Sequence, residues 1–334
     1  MYAYLSVPAV FLFSLALLAL WLPVAKRLGL VGHDVHKPGS PMVPEMGGVV
    51  VLPALLLGLA LLQAVGSPYA GQFWFLVLVT GIAWLLGLVD DLLDLAAVPK
   101  LLSSLLMGIP IFFFFNPFNH ALLVPFLLPV RLHWVYPFLA LALIAGTANA
   151  LNSYDVVNGS SSSSSLVIAA ALSGLLLLQG KLGLSTLVAM VGAVSLSLFI
   201  LNAYPSRVFL GDTGSFSLGA ALASASIVSG NESFLFIALL PMIVNSAAKF
   251  MSARKIYESH RARQKLTFLN SDGKIQSYGR EGGISLLKLL AASSPIGERQ
   301  ASLEMSALVL VSTLLALATV PALGVPLFKD VILP

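Results

Sequence analysis

The residues best suited to chemistry are carboxylates placed where apolar runs stop. Asp90, Asp91 and Asp94, in GLVDDLLDL, follow one such run directly. At helical spacing Asp90 and Asp94 share a face, with Asp91 beside Asp94. Three carboxylates this close repel one another unless a proton or a cation sits between them. Oxygen-only ligands suit Mg²⁺, which takes one or two carboxylates and keeps water or phosphate oxygens for the rest of its shell. A solvated acidic helix end is the plainer reading of the same residues.

A second signal is FLGDTGSFSLG, where Asp212 stands in a Gly-flanked turn that opens a helix. Asp212 is expected to cap that helix by accepting backbone N–H groups, at a kind of terminus that also attracts phosphate. Just upstream, Asn202 and Pro205 end the preceding apolar run, and Arg207 adds a cation. A third signal is NALNSYDVVNG: Asn149, Asn152, Asp155 and Asn158 recur every three residues, a polar stripe if helical. Polar groups at a membrane boundary are costly unless paired or functional, so hydrogen bonding between helices is the alternative. A fourth signal is cationic: Lys37 in HDVHK, Lys100 after the acidic cluster, and His260, Arg261, Arg263 and Lys265 in SHRARQK. Arg grips phosphate oxygens bidentately and Lys acts as a mobile point charge, although an ordinary basic loop has the same composition. His33 and His36 lack the partners and spacing of a zinc site.

These residues are embedded in a chain that avoids charge. Of 334 residues 58% are hydrophobic and 10% charged, and the mean hydropathy is +0.96. A soluble domain carries about a quarter charged residues. The composition therefore predicts an all-α, multi-pass membrane protein. With no cysteine, there is neither a disulfide nor a thiolate nucleophile. Walker, GxSxG and HExxH motifs are absent.

Apolar runs place ten helices near 4–25, 47–65, 73–89, 101–115, 133–151, 164–179, 184–201, 214–229, 234–251 and 304–324. The stretch 284–294 is too short to span and reads as an interfacial helix. Ten spans put 15 of the 18 Lys and Arg on one side, which the positive-inside rule assigns to the cytosol. Twelve of the 14 Asp and Glu fall on that side too. The rule does not predict acidic residues there; an active site for a phosphorylated, metal-bound substrate does. The chain reads as one polytopic domain over 1–334, with a cytosolic substrate-recognition loop at 252–303. Within that loop LTFLNSDGKIQSY is expected to form a β-hairpin about Ser271-Asp272-Gly273. The six serines Ser160–Ser165 begin a span awkwardly, because serine competes with the helix for backbone bonds.

Taken in order, DVHK, GLVDDLLDL with Lys100 nine residues after Asp91, NALNSYDVVNG and NAYPSRVFLGDTGS resemble the polyprenyl-phosphate N-acetylhexosamine-1-phosphate transferases over about residues 34–265. Bacterial members carry a histidine-rich cluster where this chain has His260-Arg261, which looks closer to the eukaryotic and archaeal branch that loads GlcNAc-1-phosphate onto dolichyl phosphate. The resemblance implies a magnesium-dependent enzyme, with manganese an acceptable substitute. It implies that Asp90 and Asp91 are the catalytic acidic pair and Asp212 a magnesium ligand; Asp90 and Asp91 share the metal. Asn152 would hold the nucleotide, Lys100 the pyrophosphate and Arg261 the pyrophosphate or sugar. Lys37, Asp155, Asn158, Asn202, His260 and Arg263 complete the expected substrate-binding set. In one departure, Val156 stands where the family has glycine.

The implied partners are a UDP-sugar, a polyprenyl or dolichyl phosphate and membrane lipids. No nucleic acid is expected, and a homodimer is compatible with the reading. The membrane is the cell membrane in a prokaryote and the endoplasmic reticulum in a eukaryote, with the catalytic face cytosolic. A bacterial-type transferase using UDP-MurNAc-pentapeptide, or GlcNAc on undecaprenyl phosphate, is the alternative enzyme. A membrane transporter is the alternative outside enzymes, although almost no charge sits mid-span.

Overall fold

A computed structural model describes residues 2–114, 121–122, 130–132, 134–258, 266–279 and 283–319. The first helix, α1 (Ser6–Leu28), ends on Gly29 in the left-handed conformation. A small antiparallel hairpin follows, β1 (Val31–His33) with β2 (Met42–Pro44). Its loop carries the HDVHK residues. Then come α2 (Val51–Ala64), α3 (Ala70–Leu93), α4 (Ala97–Ser104) and the single turn α5 (Ile111–Phe114). A two-residue hairpin, β3 (Ala121–Leu122) with β4 (Val130–Arg131), precedes α6 (Tyr136–Tyr154), α7 (Ser160–Leu178), α8 (Leu182–Asn202) and α9 (Gly211–Ser229). The chain continues through α10 (Glu232–Ala238), α11 (Leu240–Glu258), the hairpin β5 (Thr267–Leu269) and β6 (Ile275–Ser277), α12 (Leu286–Leu290) and α13 (Glu298–Thr319).

Among the described residues six helical segments are long and apolar enough to cross a membrane: α1, Gly47–Ala64, α3, α7, α8 and α13. A seventh crossing arises if α10 and α11, bent by 62° at their junction, are one broken span. The expectation of ten spans is thus not met by length and apolarity. The region 101–115 is broken into short helical pieces. The helices α6 and α9 are 19 residues each, but they carry polar residues that lower their hydropathy. The reason is their position. Nearly every side chain of α9 is buried, packed on α3 and α6, so it faces protein and not lipid. Small residues permit that depth. A methyl group added at Gly87 would meet the Thr213 backbone at 2.5 Å, and one at Gly48 would meet the Gly214 backbone at 2.0 Å. The end of α3 and the turn that leads into α2 thereby converge on the start of α9.

The serine run opens α7 without penalty. All six side chains are buried, and each hydroxyl has a partner: Ser161 donates to the Leu151 carbonyl at 2.9 Å, Ser162 to Asn202 Oδ1 at 2.9 Å, and Ser164 and Ser165 to carbonyls four residues back at 2.6 and 2.9 Å. The competition expected from serine is absorbed by bonds to neighbouring turns and helices. The hairpin expected in 266–278 is present, with Leu269 opposite Ile275. Asn270 Oδ1 accepts the N–H groups of Asp272 and Lys274 across its turn, at 3.0 and 2.9 Å. The short helix in 284–294 shrinks to the five residues of α12.

Candidate active site

The carboxylates gather at one end of the bundle, around a cavity of about 580 Å³. Eight line it: Asp34, Glu45, Asp90, Asp91, Asp94, Asp155, Asp212 and Glu298. They come from the β1–β2 loop, the ends of α3 and α6, and the starts of α9 and α13. Residues up to 264 positions apart in sequence thus meet in one place.

Asp90 is buried in the last turn of α3. Its Oδ1 accepts the Leu95 N–H at 3.0 Å, and its Oδ2 pairs with Lys100. Lys100, from α4, also donates to Asp212 Oδ2 at 2.5 Å, so one ammonium is shared between two carboxylates. The other Asp212 oxygen accepts from Asn152, whose amide also donates to Ser215 Oγ at 2.9 Å. Asp91 is used differently. Its Oδ1 accepts the backbone N–H of Asp212 at 2.7 Å, and its Oδ2 accepts the Thr213 N–H at 2.9 Å and hydroxyl at 2.5 Å. The capping role expected of Asp212 therefore belongs to Asp91, reaching across from α3. Asp212 lies in the first turn of α9, and its carboxylate is free to face the cavity.

Asp94 departs from its expected place as well. α3 ends at Leu93, and Asp94 takes a left-handed C-cap conformation (φ 49°), exposed and off the face of Asp90. The polar stripe is likewise cut short, because α6 ends at Tyr154. Asn149 turns to Ser104 Oγ at 2.8 Å and does not line the cavity, whereas Asn152, Asp155 and Asn158 do. Burial, reinforced by the Asp212 charge, pushes the Asp155 carboxyl up to about 7, against a hydrogen bond from Ser161 that pulls the other way. Burial and the charges of Asp91 and Asp212 also raise Glu45. Burial lowers His36, against the opposing pull of Asp34.

Three more of the expected substrate residues are engaged with protein. Asn202 accepts from Gly159 N at 3.2 Å and from Ser162, and donates to the Val208 carbonyl at 2.9 Å. Lys37 pairs with Asp34, approaches Glu298 at 3.8 Å and lies over the Tyr204 ring. Asn158 donates to Asp34 Oδ2 at 3.0 Å, and its N–H reaches Glu298 Oε1 at 3.1 Å. His260, Arg261 and Arg263 lie outside the described residues. Glu45 and Glu298 escaped the sequence reading. Neither stands in a recurrent spacing, and Glu298 joins Asn158 only through tertiary contact.

The donor set tests the expected magnesium. Asp90 and Asp212 already converge on one cation, the Lys100 ammonium, and apart from His33 and His36 the side-chain donors that line the cavity are carboxylates and amides, which suits Mg²⁺. Among the described residues no group of three or more His, Asp or Glu side chains is arranged to hold a metal ion. Magnesium tolerates that, since it draws ligands from water and phosphate. The residues present fit the ion.

A helical membrane bundle with a carboxylate-rich cavity at one end suits a membrane enzyme for phosphorylated substrates. Comparison with known proteins narrows the class. Residues 73–230 match the model of glycosyl transferase family 4. The chain is 31% identical over 246 residues to a phospho-N-acetylmuramoyl-pentapeptide-transferase of Bacillus anthracis, covering 68% of this chain and 75% of that one. It is 28% identical over 272 residues to the transferase of the same name from Geobacillus thermodenitrificans, covering 74% and 83%. An archaeal chain from Methanocaldococcus jannaschii, whose name goes no further than glycosyltransferase, is 28% identical over 269 residues, with 80% of each covered. The chain belongs to glycosyl transferase family 4, the polyprenyl-phosphate phosphosugar transferases.

Proposed function

We propose that the chain transfers N-acetylhexosamine-1-phosphate, with GlcNAc as the sugar, from a UDP-sugar to a polyprenyl or dolichyl phosphate. The products are lipid-diphosphate-sugar and UMP. The observation that carries this reading is Asp90 and Asp212, from separate helices, held on one Lys100 ammonium inside a carboxylate cavity. A second feature supports a lipid acceptor. An apolar groove of about 880 Å³ runs along α6, α10 and α11, from Tyr136 and Glu232 to Asn149 and Ser246. It fits an isoprenoid chain, and its Asn149–Ser246 end lies next to the helix end that carries Asn152 and Asp155.

The acceptor phosphate monoester has its second pKa near 6, so at neutral pH it is mostly a dianion and needs little help from a base. The obstacle is charge. Two anionic substrates must enter a cavity lined by eight carboxylates, of which Lys37 and Lys100 pair with four. Asp90 and Asp212, with Asp91 behind them, would hold Mg²⁺, which when bound would supply positive charge at the diphosphate. Asn152 orients the Asp212 carboxylate. Lys100 neutralises pyrophosphate oxygens, and Arg261 and its neighbours do the same from the basic loop. The acceptor oxygen attacks the β-phosphorus in line. The bond from that phosphorus to the bridging oxygen breaks, and UMP leaves with the electron pair.

The runner-up is transfer of phospho-MurNAc-pentapeptide, favoured by the names of the bacterial relatives. Against it stands His260-Arg261 in place of a histidine-rich cluster. The test is purified protein with a panel of labelled UDP-sugars and either undecaprenyl or dolichyl phosphate, with lipid products resolved. GlcNAc-1-phosphate transfer is expected. Turnover of UDP-MurNAc-pentapeptide alone selects the runner-up, and no lipid product from any donor overturns both.

A further inference from the structure

The groove's lining reaches Asn149 and Ala150, and the cavity's lining takes up α6 again at Asn152, so the two approach each other at the last turn of α6, where Ser153 stands. Ser153 Oγ lies 2.5 Å from Ser246 Oγ, at the groove's polar end. The Ser153 carbonyl accepts from Asn245 Nδ2 at 3.0 Å. It also accepts from Lys249 Nζ, one turn further along α11. Asp155, two residues beyond Ser153, lines the cavity and is within electrostatic reach of Lys249.

Lys249 differs from the other lysines near the site. Among the described residues the ion pairs belong to Lys37 and Lys100, each shared between two carboxylates. Lys249 makes none, although it is half-buried. An ammonium carries three donors. One goes to the Ser153 carbonyl, and no other protein bond is made by it among the described residues. A desolvated cation with spare donors is costly where it stands unless it has an anionic partner. The partner must reach it from the groove or the cavity. Lys249 lines neither space itself, but it stands about one turn along α11 from Ser246 at the groove's polar end, and no cation is among the residues that line the groove.

We propose that Lys249 is the binding residue for the phosphate of the lipid acceptor, holding it between the polar end of the apolar groove and the acidic cavity. This rests on the transferase reading above and assigns one of its two phosphate-bearing substrates to a specific cation.

The test is steady-state kinetics on the full chain in detergent, varying polyprenyl phosphate at saturating UDP-sugar and then the reverse. Lys249→Gln retains a donor for the Ser153 carbonyl but no charge. It is expected to raise the acceptor KM about tenfold or more, the loss of a charge-assisted bond to phosphate, and to leave the donor KM within about twofold. Lys249→Arg is expected to recover most of the acceptor affinity and, should the Gln variant fail to fold, carries the test together with Lys249→Met. An acceptor KM unchanged in a folded, uncharged variant overturns the assignment, as does a donor KM that rises in parallel. A wild-type protein that makes no lipid product defeats the transferase reading itself, so the two failures are distinguishable.

Discussion

Asp91 on α3 accepts the backbone N–H of Asp212 on α9 at 2.7 Å, so the two acidic motifs, 121 residues apart, share one helix terminus. Asp91 holds the α9 end and Asp212 faces the cavity. Replacing each by asparagine should therefore have different consequences. Asp91→Asn turns an N–H donor toward backbone donors and loses a cap worth about 1 kcal/mol, so the melting temperature and turnover should fall together. Asp212→Asn keeps the fold but loses a charge at the reacting diphosphate, and turnover should fall about a hundredfold or more at an unchanged melting temperature. Equal melting temperatures for the two variants would contradict this division of labour.

Lys100 bridges Asp90 and Asp212, the oxygens assigned to magnesium, so it competes with the metal until substrate draws it away. Lys100→Met should bind Mn²⁺ more tightly than wild type in the absence of substrate, read by electron paramagnetic resonance. The same variant should lose about a hundredfold in turnover, because the pyrophosphate loses a cation. Mn²⁺ affinity that falls in Lys100→Met would mean that the lysine supports the metal site and does not compete for it.

Much of the site was legible because its parts carry local signatures. Paired acids after an apolar run, a Gly-flanked aspartate and an amide-rich helix end each stand out within a dozen residues. Asp90, Asp91, Asn152, Asp155 and Asp212 all reach one cavity for that reason. What failed depended on helix ends and tertiary partners. Asp94 was assigned a helical face, but the helix stops one residue earlier. Asp212 was assigned a cap that Asp91 supplies from another helix, which no local pattern encodes. The span count suffered similarly. Hydropathy measures contact with lipid, and a helix sheathed by protein, such as α9, can be rich in serine and glycine.

The raised acids give the site a defined pH response. Asp155 sits at about 7, well above an ordinary aspartate near 4. Between those values the folded protein binds a proton that the unfolded chain does not. Stability without metal should therefore fall as pH rises from about 4 to 7 and level off above that. Glu45, raised by burial and by the Asp91 and Asp212 charges, acts in the same direction. A divalent cation among these carboxylates offsets their repulsion only once they ionise. In EDTA the melting temperature should be lower at pH 8 than at pH 5.5, and Mg²⁺ should raise it more at pH 8. A larger magnesium shift at pH 5.5 would contradict the carboxylate account.

Asn202 offers a test between holding the substrate and holding the fold. Its buried amide makes three bonds to protein, to Gly159, Ser162 and Val208, and so ties the end of α8 to the start of α7 and to the loop before α9. Asn202→Ala leaves the Gly159 N–H without its partner, whereas the Val208 carbonyl still accepts from Ser206 Oγ at 2.7 Å and the Ser162 hydroxyl can turn to the Gly159 carbonyl. A net loss of about 1–3 kcal/mol, the cost of one unsatisfied buried donor, is expected, read as a lower melting temperature in detergent. The fraction that stays folded at low temperature should keep a donor KM within about threefold of wild type, because the amide is already engaged. A donor KM raised tenfold or more, with the melting temperature unchanged, would instead make Asn202 a direct contact of the nucleotide.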